Sequence, residues 1–97
     1  MKKAETRLRT KVKRVLEEEF PGIFVAHIHG NQFQEAGIPD LVICWRGHFA
    51  GLELKDEGEE PTVIQCRVGK RIKRADGSWG WADTVEQAVE FVKNLPV

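Results

Sequence analysis

The stretch from Gly37 to Lys55, GIPDLVICWRGHFAGLELK, constrains the fold of this chain more than any other. Residues 40–46, DLVICWR, form a near-continuous apolar run, which predicts a strand buried on both faces. Residues 49–55, FAGLELK, predict the returning strand, and Arg46-Gly47-His48 is a tight connection. Strands joined so closely pair as an antiparallel hairpin. Glu53 and Lys55 are two residues apart, so they point to the same face. Asp40 opens the first strand and can lie beside the end of the second. Charged residues inside an apolar hairpin cost stability unless they are paired or used. The hairpin therefore brings three such groups, Asp40, Glu53 and Lys55, to one point.

The flanking segments follow from periodicity and punctuation. Residues 2–19 predict a helix, with Leu8, Val12, Val15 and Leu16 at helical spacing and basic residues on the other faces. Pro21-Gly22 ends it. Residues 23–29, IFVAHIH, predict a strand, and the polar residues 30–39 a loop. Residues 61–75 carry Ile64, Val68, Ile72 and Ala75 on a helical stripe, with Pro61 suited to a first turn. Gly69 weakens that helix by about 1 kcal/mol relative to Ala. The competing reading is a hairpin about Asp76-Gly77, a strong turn signal; the helix is favoured, with Gly77 near its end. Residues 78–83 predict a strand. Residues 84–95 predict a last helix, with Thr84 and Gln87 as a capping box and Val85, Ala88, Val89, Val92 and Leu95 as its apolar face. The expected order is α-β-β-β-α-β-α, a mixed α/β fold with a central mixed sheet flanked by helices.

The 97 residues suit one domain, 1–97, with one modest core. No apolar run approaches the roughly 20 residues of a membrane span, so no membrane partner is expected. The basic N-terminus lacks the apolar segment of a signal peptide. Cys44 and Cys66 form neither a disulfide framework nor a CxxC motif, which fits a reducing compartment, the cytoplasm. Fifteen basic residues balance fifteen acidic ones, but they are segregated. Residues 2–14 carry Lys2, Lys3, Arg7, Arg9, Lys11, Lys13 and Arg14 against Glu5 alone, and residues 67–74 carry Arg67, Lys70, Arg71, Lys73 and Arg74 without an acid. Acids crowd into 17–19 and 53–60. Charge runs are usually solvated helix faces, yet two basic segments beside an acidic pocket could hold a phosphate backbone near a cation.

Phosphodiester hydrolysis needs such a set. Two carboxylates can hold Mg²⁺ or Mn²⁺, hard cations that prefer oxygen ligands. The cation polarises the phosphate and makes a water more acidic. A lysine beside it can orient that water and offset phosphate charge. An isolated ExK is weak evidence, since most are surface Glu–Lys pairs at strand ends. A Pro-Asp whose Asp lies thirteen residues before the Glu of an ExK, across a hairpin, is much stronger.

At these residues the chain resembles a known family. Pro39-Asp40 followed by Glu53-Leu54-Lys55 is similar to the PD-(D/E)xK nuclease pattern. The details resemble its virus-type replication-repair branch, the VRR-NUC domain. That branch reads G-x-P-D-L, a short hairpin, E-L-K, a Pro/Ser/Thr turn and a helix carrying Gln. Here these are residues 37–41, residues 53–55, Pro61-Thr62 and Gln65, and Asp83-Thr84-Val85-Glu86-Gln87-Ala88 fits the branch's final acidic helix. The resemblance spans residues 5 to 92. It implies a restriction-endonuclease-like core of a small phage or bacterial nuclease. It also implies Mg²⁺- or Mn²⁺-dependent cleavage of DNA, selective for branched structures such as Holliday junctions, in DNA repair, by a homodimer.

The resemblance implies roles too. Asp40, Glu53 and the backbone carbonyl of Leu54 would hold the metal, Lys55 would be the catalytic lysine, and Gln65 would meet the metal shell or substrate. Glu5 matches an acidic residue of the family's first helix, and its spacing from Leu8 and Val12 sets it on the core-facing stripe. Gly69 and Lys70 depart from the bulkier apolar residues common there, which puts that helix's packing in question. Lys3, Arg7, Lys11, His29, Asn31, Arg67, Lys70 and Arg71 are the candidate DNA contacts. His27 and His29 lack the further ligands of a zinc site and read as a polar strand face. Trp79 and Trp81 share a strand face and read as core or dimer interface before base-stacking groups. No phosphate-binding GxxxxGK[ST] motif occurs, so no nucleotide cofactor is expected. The alternatives are a general or restriction-type nuclease, a catalytically silent DNA-binding module on the same fold, and an RNA-directed role.

Overall fold

The computed structural model describes residues 3–29 and 35–97, with the side chains of residues 3–6 outside the description. Lys3 and Glu5 as contact residues, and Asn31 altogether, therefore lie outside the described residues. The chain runs α1 (Lys3–Glu19), β1 (Phe24–His27), β2 (Leu41–Trp45), β3 (His48–Leu54), α2 (Val63–Arg74), β4 (Ser78–Ala82) and α3 (Val85–Lys93). This is the expected order of elements. The sheet order is β1-β2-β3-β4. The first two pairings are antiparallel and the last is parallel, which makes the sheet mixed.

The β2–β3 hairpin closes through Arg46 and Gly47, with Trp45 paired to His48. Both turn residues take positive φ, 53° and 82°, the geometry of a two-residue turn matched to strand twist. Alternation then sorts the side chains. Leu41, Ile43, Ala50, Leu52 and Leu54 join Val12, Leu16, Ala82, Ala88, Val92 and Leu95 in one core. That face is covered by α1 and α3, which also pack on each other, and α2 covers the other face over β3 and β4.

Residues 61–75 form the helix, not the hairpin. Thr62 caps it: its hydroxyl accepts from Gln65 N while the Gln65 side chain accepts from Thr62 N, a complete capping box. At the other end Gly77 N donates to Ile72 O and Asp76 N to Lys73 O. Asp76 takes the left-handed conformation, φ 67°. This is a Schellman stop, so Asp76-Gly77 ends a helix and forms no hairpin turn. The expected stripe is only partly buried: Val68 is buried, but Ile64 is half exposed and Ala75 exposed.

Gly69 is a close-packing position of α2. A Cβ on Gly69 would lie 2.4 Å from Cδ2 of Trp79. The helix lies against the Trp79 ring because residue 69 has no side chain. Trp79 is thus a packing residue, whereas Trp81 stays 39% exposed. The capping box expected at α3 is only half formed: Thr84 accepts from Gln87 N, but the Gln87 side chain accepts from Asp83 N.

Candidate active site at the end of the central hairpin

The β2–β3 register pairs Leu41 with Leu52 and Val42 with Gly51. One step further, Asp40 stands opposite Glu53. Opposed residues of a hairpin have Cβ atoms about 5 Å apart, so the two carboxylates face each other on the α2 side of the sheet. Pro39 is held against the sheet because residue 51 is glycine: a Cβ there would lie 2.6 Å from Pro39 Cγ. The Pro39-Asp40 pair is therefore positioned by packing as well as by the ladder.

Each site residue has identifiable partners. Asp40 Oδ2 accepts the N–H of Leu54 at 2.8 Å. Asp40 Oδ1 lies 3.7 Å from Arg9 Nη2. Glu53 is fully buried; its Oε1 accepts from Gln65 Nε2 at 3.2 Å. Gln65 Oε1 accepts from Thr62 N at 2.8 Å and from Lys55 Nζ at 3.4 Å. The amide is thus oriented by its own helix cap, and it bridges Glu53 to Lys55. In an extended residue the N–H and C=O project to the same edge, so the Leu54 carbonyl faces the Asp40 side.

The site is acidic and partly closed off from water. Burial pushes the Glu53 carboxyl up to about 8, and the negative charge of Asp40 beside it pushes in the same direction. Glu53 Oε2 is buried without a donor of good hydrogen-bond geometry, and the carboxyl is crowded against the side chain and backbone N–H of Asp40. A buried carboxyl crowded against a second carboxyl is an arrangement a hard divalent cation can relieve, and the residues present fit one. Among the described residues no three His, Cys, Asp or Glu side chains converge as a metal cluster. The donor set on view is two carboxylates and the Leu54 carbonyl, with the Glu5 side chain outside the described residues.

The other expected residues divide. Arg7 and Lys11 on α1 line a cleft of about 620 Å³ that reaches Lys55 and Asp56. Arg71 instead pairs with Glu35 at 2.8 Å and borders a separate groove of about 560 Å³ on the α2 face, lined by Ile38, Val42, Phe49 and Ile72. Arg67 and Lys70 are exposed on α2 and line neither hollow. His29 is exposed just beyond β1. His27 pairs with Leu41, which places it on the α1 face, away from Glu53. Burial, then the positive charges of Arg9 and Lys13, hold its imidazole below the ordinary histidine range. One residue escaped the sequence reading. Arg9, assigned there to a solvated face, is buried at 8% exposure and reaches Asp40. Its spacing, three before Val12 and seven before Leu16, was the available signal.

The fold and the paired carboxylates define a mixed-sheet α/β domain with an acidic site at a strand end. A solved structure described as a VRR_NUC domain matches it with a TM-score of 0.76 at 22% identity, covering 95% of this chain and 97% of that one. The chain therefore has the VRR_NUC fold, in agreement with the motif resemblance. No family model and no curated protein matches the chain.

Proposed function

We propose that this protein is a metal-dependent endonuclease that hydrolyses DNA phosphodiester bonds. The observation that carries the reading is the opposed pair Asp40 and Glu53, joined through Gln65 to Lys55, at the hairpin end of a VRR_NUC fold. Asp40, Glu53 and the Leu54 carbonyl would hold Mg²⁺ or Mn²⁺. When bound, that cation polarises the phosphate and acidifies a water. Glu53 would have to give up its proton for this, which burial and then the neighbouring Asp40 charge oppose until a counter-charge arrives. Lys55, steadied by Gln65, places a positive charge at the scissile phosphate. Gln65 holds Lys55 and Glu53 at a set separation and is itself held by Thr62.

The substrate enters on the α1 side in this reading. Arg7 and Lys11 line the cleft continuous with Lys55, whereas Arg71 is engaged by Glu35. Selectivity for branched DNA and a two-fold dimer are the finer part of the proposal. They rest on the motif resemblance, and a dimer suits paired cuts on a junction because it presents two symmetric sites. The test is cleavage of a labelled four-way junction and a matched linear duplex, in Mn²⁺ or in EDTA, by wild type and Asp40→Ala. Cleavage only with the cation, lost in the variant, is expected. Activity in EDTA refutes the metal role. Equal cutting of both DNAs refutes branch selectivity and favours a general nuclease. Binding with no cleavage in any divalent cation identifies a silent DNA-binding module.

A further inference from the structure

Arg9 and Glu53 are the two buried charged residues among those described. Arg9 sits on the core-facing stripe of α1, one turn before Val12, where an apolar residue would pack at no electrostatic cost. Burying a guanidinium costs several kcal/mol unless it is paired well. Lys13 and Arg14 of the same helix pair with Glu17 and Glu18 in exposed i,i+4 contacts, an ordinary surface arrangement. Arg9 instead crosses from α1 to the catalytic hairpin.

Its target is informative. Asp40 is met from two elements: the Leu54 N–H of β3 donates to Oδ2 at 2.8 Å, and the Arg9 guanidinium of α1 stands at ion-pair distance, 3.7 Å, from Oδ1. The terminal torsion of an aspartate is broad, so one donor leaves the carboxylate free to rotate. A hydrogen bond on one oxygen and a positive charge facing the other favour one orientation of its plane. We propose that Arg9 is a positioning residue for the cleavage reaction, which orients the Asp40 carboxylate from α1 and acts through it without touching DNA. The inference rests on the nuclease reading above. It makes α1 part of the site's construction as well as a wall of the core.

The test uses the full chain as wild type, Arg9→Gln, Arg9→Lys and Asp40→Asn. Three quantities are read: Mn²⁺ affinity by calorimetry, kcat and KM on DNA, and urea stability in EDTA. Loss of an outer partner of a metal ligand typically weakens metal affinity about 10–100-fold, so Arg9→Gln should fall in that range. Its kcat should drop by a similar factor, while KM for DNA changes less than about twofold. Arg9→Lys keeps the charge but not the planar fork, and should lie between the two. In EDTA, Arg9→Gln should destabilise the wild-type background more than the Asp40→Asn background. A folded Arg9→Gln with wild-type Mn²⁺ affinity and kcat would make Arg9 a structural anchor only and overturn the proposal. A rise in KM alone would make it a DNA contact, with the same consequence. If Arg9→Gln does not fold, Arg9→Lys decides by the same measures. If wild type neither binds Mn²⁺ nor cleaves, the nuclease reading has failed and the positioning role goes with it; coupling to Asp40 that survives in EDTA would then mark that failure as distinct.

Discussion

Replacing Glu53 with glutamine should make the metal-free protein more stable at alkaline pH and should also disable it. Glu53 has no exposed surface, and its carboxyl is pushed from 4.5 up to about 8. The folded state therefore binds a proton that the unfolded state has lost, between about pH 4.5 and 8. Stability tied to that proton is present below 4.5 and disappears as pH rises through 8. At about 1.4 kcal/mol per unit, the loss is on the order of 4–5 kcal/mol. That is a large part of the 5–15 kcal/mol typical of a whole domain. Glutamine is a neutral isostere that carries no such cost. In EDTA, the melting temperatures of wild type and Glu53→Gln should differ little at pH 5. At pH 8.5 the variant should melt at least about 10 °C higher, since 1 kcal/mol moves a domain of this size by roughly 4–8 °C. Adding Mn²⁺ at pH 8.5 should stabilise wild type and leave the variant unchanged. Parallel curves of melting temperature against pH for the two proteins would refute the reasoning, because Glu53 would then titrate alike folded and unfolded.

Further outcomes follow from particular side chains. Gly69→Ala should lower the urea midpoint by an amount equivalent to about 1–3 kcal/mol, because the new Cβ overlaps Trp79. An unchanged or higher midpoint would mean that the helix-propensity gain of about 1 kcal/mol dominates. Lys55→Ala should reduce kcat on DNA by roughly 100-fold or more yet retain Mn²⁺ binding in calorimetry; loss of binding would move Lys55 from chemistry to site construction. Thr62→Ala should cost about 1 kcal/mol through the cap, and should also slow cleavage, because Gln65 loses the hydroxyl partner that helps fix it. Arg7→Gln with Lys11→Gln should weaken DNA binding and shallow its salt dependence by about one unit for each phosphate no longer neutralised. Arg71→Gln should do neither, and a binding isotherm series in NaCl separates the two helices.

Much of this arrangement is legible along the chain because it depends on short-range geometry. The tight turn, Arg46-Gly47 and so one residue shorter than the connection read from the sequence, sets the hairpin register. The register in turn sets Asp40 opposite Glu53, and the period of two puts Lys55 on the same face. The order of seven elements follows from local periodicity and punctuation in the same way. Where local signals compete, sequence alone leaves the matter open. Asp76-Gly77 serves a hairpin turn or a helix stop equally well, and the Schellman bonds to Ile72 and Lys73 decide it. The two Thr-x-x-Gln pairs look alike on paper. Only the one at Thr62 closes fully, because Gln65 also meets Lys55 and Glu53 across the sheet face.

The sequence by itself determined the hairpin, the opposed carboxylates and the chemistry that residues of those types can support. Tertiary structure alone decided how the site is held and how its charges are buried. Arg9 reads as one more solvated cation until α1 docks beside Asp40. Gly69 reads as a weak point until Trp79 fills the space its missing side chain leaves. Glu53 reads as an ordinary carboxylate until α2 and the sheet remove it from water. The physical reason is common to all three. Burial, charge pairing and close packing are properties of elements brought together from distant parts of the chain, and no spacing along one segment encodes its neighbours.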